Sequence, residues 1–274
     1  AHVYTLNATE NRVARWFSEG VSVLEEWRHG PTARSSVSLH FIDAYAAGQL
    51  LPIARLDDGF MRPTYDGQIE VSYVQAGLVC QFIDERFEGG LVKVLRAYAA
   101  GAPTAEAIRT GLGVDAEVLD SQFGGYLAER FGQLVADLAG YKGHLVAAVE
   151  ALEADHWDDA IAAARLAIER YPEYVGDDNP YLLLARAASK AENTVLAKQT
   201  LDQYWHRGGR NMAALDELAG FLVADGNIDA NIDAVLPVLR VLARAEPLVL
   251  RRHVVMGDLL AELARWQEAL TEYE

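Results

Sequence analysis

His2 and Glu19 carry side chains of the types that bind zinc, and sixteen residues lie between them in a chain of 274. An H-E-x-x-H helix sets two imidazoles one helical turn apart and uses the Glu between them as general base on a zinc-bound water. A carboxylate from a later helix can complete such a set. If His2 is the last letter of the motif, Ala1 is its second x, and the first His, the Glu and one further residue are expected upstream. Glu19 is then the later carboxylate. It stands in Trp16-Phe17-Ser18-Glu19-Gly20, where the neighbouring aromatics predict a buried face on which an uncompensated carboxylate would be costly. The ordinary readings beside these are a solvated imidazole and an exposed helix carboxylate.

The elements that must carry these residues are helical. Residues 1–8 read as the end of a helix, and Asn7 to Arg12 form a polar break before the next apolar period. Trp16 to Trp27 reads as a helix with Phe17, Val21, Leu24 and Arg28 on one stripe and Glu19, Ser22, Val23 and Glu26 on the adjoining face. His29-Gly30-Pro31 is expected to stop it. A helix follows around Leu39 to Leu50, then a loop rich in Asp, Gly and Pro over 57–67 that could shape a cleft. Ile69 to Phe87 is the next strong helix, with Val71, Val74, Leu78, Phe82 and Phe87 near one stripe. Shorter helices are expected over about 91–100, 104–111 and 115–138.

The stretch from Trp16 to Glu26, Trp-Phe-Ser-Glu-Gly-Val-Ser-Val-Leu-Glu-Glu, resembles the W-L-x-E-G-[FL]-A-x-Y-x-E signature of gluzincin zinc metallopeptidases. The likeness includes the acidic Glu26 seven positions beyond Glu19. Tyr73-Val74-Gln75-Ala76-Gly77 is similar to the later helix that carries the oxyanion-stabilising Tyr in the aminopeptidase N and leukotriene A hydrolase branch, with one extra residue before the Gly. The likeness extends over roughly residues 1–138 and is nearest to the smaller bacterial proteins of the peptidase MA-like group. It implies that His2 and Glu19 are metal ligands, that zinc is the cofactor and that Tyr73 is catalytic. The implied reaction is peptide-bond hydrolysis. Zinc would polarise the scissile carbonyl and lower the pKa of its water toward about 7, the upstream Glu would take the proton, and Tyr73 would hydrogen-bond the oxyanion. Without the first His and the Glu, this chain by itself is expected to be inactive. Glu26 could orient a ligand His but reads more simply as a solvated carboxylate, and His29 and His40 read as structural.

Repetition governs the second half. Trp157-Asp158-Asp159-Ala160-Ile161, followed by Ala164, Ala167 and Pro172, has the second-helix pattern of a tetratricopeptide repeat, in which small residues let two antiparallel helices pack closely. Gly257, Leu260, Trp266, Ala269 and Tyr273 reproduce the unit near the C-terminus, with Met256-Gly257 on its first helix. Two degenerate units are expected between them. One covers about 178–209 with Ala185, Ala197, Leu201 and Tyr204. The other covers about 216–247, ends at Pro247 and carries extra residues near 225–233. His144 and His253 are read as packing residues. The fourth unit is expected to be incomplete.

The expected architecture is therefore all-α: residues 1–139 as the C-terminal part of a gluzincin peptidase helical domain, and 140–274 as a tetratricopeptide-repeat superhelix of about four units. The expected partner is a peptide or protein ligand on the concave face of the repeats. A generic helical bundle is the plain alternative for the second half. With a net charge of −16 and 24 scattered basic residues, a nucleic-acid partner is not expected. At 51% apolar and 23% charged residues, the composition is that of a globular chain with a core. No apolar run is long enough for a membrane span. Cys80 is the only cysteine, which excludes an intrachain disulfide and fits a reducing compartment without requiring one. Two functions from different classes are carried forward: a zinc peptidase with a repeat domain for partners, and a non-catalytic repeat scaffold on a degenerate peptidase fold.

Overall fold

The computed structural model describes residues 1–29, 37–176, 178–224 and 228–274. The expected stop at Gly30-Pro31 and part of the insertion expected in the third repeat, residues 225–227, lie outside these. The fold is all-α, with sixteen α-helices and no strand among the described residues. It divides into two compact units, Ala1–Lys142 and Gly143–Glu274.

In the first unit, α5 (Gln68–Arg86) is the helix around which the others pack. Its buried residues lie on nearly every side, from Val71 and Ser72 through Gln75 to Cys80, then Phe82 and Ile83. It is therefore a central helix, and the single apolar stripe expected for it understates its burial. Helix α2 (Arg15–His29) makes the most extensive packing contact with α5, and α3 (Leu39–Ala46), α4 (Asp57–Met61), α6 (Gly90–Ala99) and α8 (Ala116–Ala136) also touch α5. Helix α1 (His2–Ala8) lies on α2, and α7 (Thr104–Leu112) packs on α6. The loop expected over 57–67 is partly helical, because α4 begins with Asp57 and Asp58 in its first turn, where carboxylates favour a helix start. The Asp57 side chain also accepts a hydrogen bond from the Trp16 backbone N–H at 2.7 Å, tying α4 to the start of α2.

Two glycines set the distance between α2 and α5. A Cβ on Gly20 would stand 2.5 Å from the carbonyl oxygen of Ala76 and 2.8 Å from Cys80 Sγ. From the other side, a Cβ on Gly77 would stand 2.6 Å from Val23 Cγ1 and 2.8 Å from Trp27 Cη2. Each helix thus presents its backbone to the other, an approach only Gly permits. Cys80 is sealed beneath this contact, and burial, with the charge of Asp84, pushes its thiol pKa up. Further out, the buried Gln75 side chain donates to Leu51 O at 2.6 Å and accepts from Leu51 N, fixing the segment after α3.

The second unit runs through α9 (Leu138–Glu153), which spans the division, then α10 (Trp157–Arg170), α11 (Pro180–Lys190), α12 (Thr194–His206), α13 (Met212–Ala224), α14 (Ile228–Ala245), α15 (Leu250–Glu262) and α16 (Trp266–Tyr273). From α10 onward each helix packs on the next in sequence. Three of its turns have one geometry. After α9, α11 and α15 the chain enters the left-handed region at Asp155 (φ 59°), Glu192 (φ 58°) and Ala264 (φ 56°). In each, the following N–H donates five residues back: His156 to Ala151 O, Asn193 to Ala188 O and Arg265 to Leu260 O, all at 2.9 Å. These are Schellman closures built without glycine. They recur at a period of roughly 36 residues, with one unit between the second and third.

The next helix begins two residues beyond each turn, and its fourth residue is a buried alanine: Ala160, Ala197 and Ala269. Ala148 and Leu184 pack with Ala163 and Ala164, so small residues face one another across α9 and α10. At the C-terminal pair the Tyr273 ring covers Gly257, where a Cβ would meet it at 2.4 Å. The Tyr273 hydroxyl then donates to Asp258 Oδ1 at 2.6 Å. His253, read as a packing residue, is half-buried and pairs its Nδ1 with Glu272 at 2.9 Å, joining α15 to α16.

Two substitutions test these constraints. Gly20→Ala is expected to lower stability by about 1–3 kcal/mol in denaturant unfolding, because the added methyl meets backbone that cannot swing aside. Gly125→Ala on α8, where a Cβ meets nothing within 4 Å, is expected to be neutral or to stabilise by up to about 1 kcal/mol. Equal effects of the two would refute the close approach. In the second unit, Glu192→Gly is expected to be neutral or stabilising and Glu192→Val to cost about 1–2 kcal/mol, since a left-handed L-residue is strained and a β-branched one more so.

Candidate functional site

The site is built from the N-terminal turn of the first unit. Glu10 and Asn11 both adopt positive φ, at 50° and 62°, and Asn11 N–H closes on Leu6 O at 2.9 Å. This reversal folds α1 back along α2. A run of threonines then holds it there. Thr9 Oγ1 donates to Thr5 O at 2.8 Å and accepts from Val13 N–H at 3.2 Å. Thr5 Oγ1 lies 2.6 Å from Ser18 Oγ, a buried contact between the two helices. Ser18 Oγ in turn lies 2.9 Å from His2 Nδ1.

The same step brings the two proposed ligands together. His2 Nδ1 is 3.9 Å from Glu19 Oε2, and the Glu19 side chain is only 17% exposed. The other oxygen, Oε1, accepts from Arg15 Nε at 3.3 Å, one turn back on α2. Arg15 reaches across to α5 as well. The Tyr73 hydroxyl first, and Glu19 after it, raise the guanidinium pKa above its ordinary value, against an opposing effect of burial. Arg15 also lies over the Phe60 ring, 5.5 Å from its centroid, and Tyr73 meets Phe60 edge-on at 5.0 Å. Glu19 therefore meets His2 on one side and, through Arg15, is joined to Tyr73 on the other.

Other candidates lie elsewhere. Glu26 is exposed. His29 pairs with Glu25 at 3.2 Å and His40 with Glu70 at 3.1 Å, each on an exposed surface. Thr5, Ser18 and Arg15 were not singled out from the sequence. Ser18 adjoins Glu19 and Arg15 stands four residues before it, the spacing at which helix side chains meet, so both were within reach of a spacing argument. Thr5 was not, because its contact depends on the reversal at Glu10 and Asn11.

An imidazole nitrogen and a carboxylate oxygen are both donors that zinc accepts, at about 2.0–2.2 Å. Donors in a tetrahedral site stand about 3.4 Å apart by that geometry, closer than the 3.9 Å between His2 Nδ1 and Glu19 Oε2. Glu19 meets Arg15 through one oxygen and turns the other toward His2, whose Nδ1 also meets Ser18 Oγ. The residue types are ones zinc accepts, and a shared ion would need the two side chains to move closer. No group of three or more His, Cys, Asp or Glu side chains able to hold a metal occurs among the described residues, so two donors are what this cluster supplies. No protein-family model matches the chain, and no curated protein matches it.

The packing of the Tyr73 ring and the bond of its hydroxyl to Arg15 are separable. Tyr73→Phe keeps the ring against Phe60 and is expected to change stability by less than about 0.5 kcal/mol. Phe60→Ala empties a buried position and is expected to cost about 3–5 kcal/mol. Urea unfolding of both variants checks this. A Tyr73→Phe loss as large as that of Phe60→Ala would assign the hydroxyl to the fold.

Proposed function

We propose that the first unit is the C-terminal part of a gluzincin-type, peptidase MA-like domain, and that the second is a tetratricopeptide-repeat module binding a peptide or protein. The observation that carries the first half is the convergence of His2 and Glu19 at 3.9 Å, from helices joined by a tight reversal.

In this reading His2 and Glu19 hold zinc together with a His preceding Ala1, and the bound metal supplies Lewis-acid polarisation of a peptide carbonyl and an activated water. The chain's own residues do the positioning. Glu19 is steered by Arg15, which neutralises one carboxylate oxygen and leaves the other facing His2. Tyr73 and Arg15 place neighbouring donors, and charge on a substrate oxygen that met them would be stabilised by an amount of order 3 kcal/mol for a well-aimed donor. The repeat reading of the second unit is supported by the three matching turns and by buried small residues at matching places, each pair twelve residues apart: Ala148 with Ala160, Ala185 with Ala197, and Gly257 with Ala269. Stacked helix pairs of this kind offer a concave surface to an extended ligand.

A second reading is favoured by the Arg15–Glu19 pair, which already gives the carboxylate a cationic partner. On that reading the first unit is a degenerate peptidase frame and the repeats alone bind partners. No helix among the described residues is long and apolar enough to cross a membrane, and neither reading requires one.

Zinc content separates the two. A chain extended upstream through the expected His-Glu-x is predicted to retain about one zinc per molecule after dialysis, and Glu19→Ala in the same chain is predicted to lose most of it. Equal metal in both, or none in either, would favour the scaffold.

A further inference from the structure

A cleft of about 330 Å³ opens in the first unit between the segment after α3, α5 and α8, and it shares no residue with the candidate site. Gln75 reaches it from α5, two residues past Tyr73 and so on nearly the opposite side of that helix. Tyr45, Leu51 and Phe123 are among its walls, and Asp120 brings a carboxylate to it.

Both polar side chains are only partly used by the fold. Gln75, 2% exposed, donates through Nε2 to Leu51 O at 2.6 Å and accepts from Leu51 N–H at 3.3 Å. A primary amide has a second N–H to give, and no described residue takes it. Asp120 Oδ1 accepts the Ile53 N–H at 2.9 Å, and Oδ2 receives no hydrogen bond from the described residues. Burial raises the Asp120 pKa above the ordinary carboxyl value, opposed by the Ile53 N–H and assisted by the charge of Glu117. A positive partner would relieve that cost, yet no basic side chain lines the cleft among the described residues. Space lies beside the charge. Gly124, one turn beyond Asp120 on α8, is a wall of the cleft where an added Cβ would meet nothing within 4 Å. Glycine weakens a helix interior, and no close approach requires it here.

We propose that this cleft binds a small organic ammonium ion, whose charged nitrogen pairs with Asp120 Oδ2 and whose apolar body lies among Tyr45, Leu51 and Phe123. The spare Gln75 N–H serves an acceptor on the ligand. An anion would be repelled by the carboxylate, and a bare metal ion would need several oxygen donors where Asp120 is the one carboxylate. Aromatic rings add attraction for organic cations, and the net charge of −16 draws cations to the surface. The volume is at the small end for a ligand cleft, which suits a single ring with a short amine arm. The proposal rests on neither reading of the first unit given above.

The test adds benzylamine, benzyl alcohol and benzoate, which share a ring and differ in charge, to the full chain at a pH of about 7.5, followed by heteronuclear NMR. Benzylamine is expected to bind with a dissociation constant of about 1 mM or tighter and to shift the amides of Leu51, Ile53 and Gly124. Benzyl alcohol is expected to bind at least about 5-fold more weakly, and benzoate not at all. Asp120→Asn keeps the acceptor for Ile53 and removes the charge, so benzylamine is expected to fall to the affinity of benzyl alcohol while benzyl alcohol is unchanged. A purely structural Asp120 would weaken both probes alike or neither. Gly124→Leu fills the cleft without touching either polar group and is expected to abolish binding, whereas Gly125→Leu, beside it but outside the cleft lining, is expected to retain it. Circular dichroism checks the fold of each variant, and Gly124→Ala, expected to weaken binding in part, replaces Gly124→Leu if that chain unfolds. No binding of benzylamine, equal affinity for benzylamine and benzyl alcohol, shifts that map away from the cleft, or undiminished binding in folded Asp120→Asn or Gly124→Leu overturns the proposal.

Discussion

The link from Glu19 through Arg15 to Tyr73 depends on how closely α2 and α5 approach. Gly20 meets the Ala76 carbonyl and Gly77 meets Val23 and Trp27, so neither helix has room for a Cβ at its glycine. Arg15 and Glu19 lie on the one helix and Tyr73 on the other. Arg15 bridges them, bonding both Glu19 and Tyr73. The contact also explains why α5 is buried around most of its circumference: a helix met so closely on one face, and covered by α3, α4, α6 and α8 elsewhere, has little surface left for water.

A second constraint is the reversal between α1 and α2. Two consecutive left-handed residues, neither of them Gly, cost the chain conformational strain. They are offset by the buried Thr5–Ser18 contact and by the Thr9 hydroxyl, which serves two partners at once. The strained turn holds the His2 imidazole beside the Glu19 carboxylate. The second unit uses left-handed residues differently, at Asp155, Glu192 and Ala264, to close helices at matching places so that one pairing geometry is repeated.

Much of this was legible in the sequence, and the reasons are specific. Trp16-Phe17 beside Glu19 announced a buried face, and the structure buries both aromatics to 1% exposure. The apolar periods located the helices, with α5 found at Gln68–Arg86 against an expected Ile69 to Phe87. Its central position was hidden, because Ser72, Gln75 and Gly77 look polar or neutral by type and are buried by contacts from distant segments. Helix α4 was hidden by the Asp, Gly and Pro around it. The Thr5 and Ser18 contacts behind His2 were hidden for a similar reason: hydroxyl residues are too common to signal anything until a turn sets them face to face.

The central claim is that this frame brings His2 and Glu19 to a single zinc ion. The most direct measurement is anomalous diffraction at the zinc edge from crystals of the upstream-extended chain. A peak about 2.0–2.2 Å from both a His2 ring nitrogen and a Glu19 carboxylate oxygen is the predicted result. A folded chain in which Glu19 remains on Arg15 and no peak appears beside His2 would contradict it.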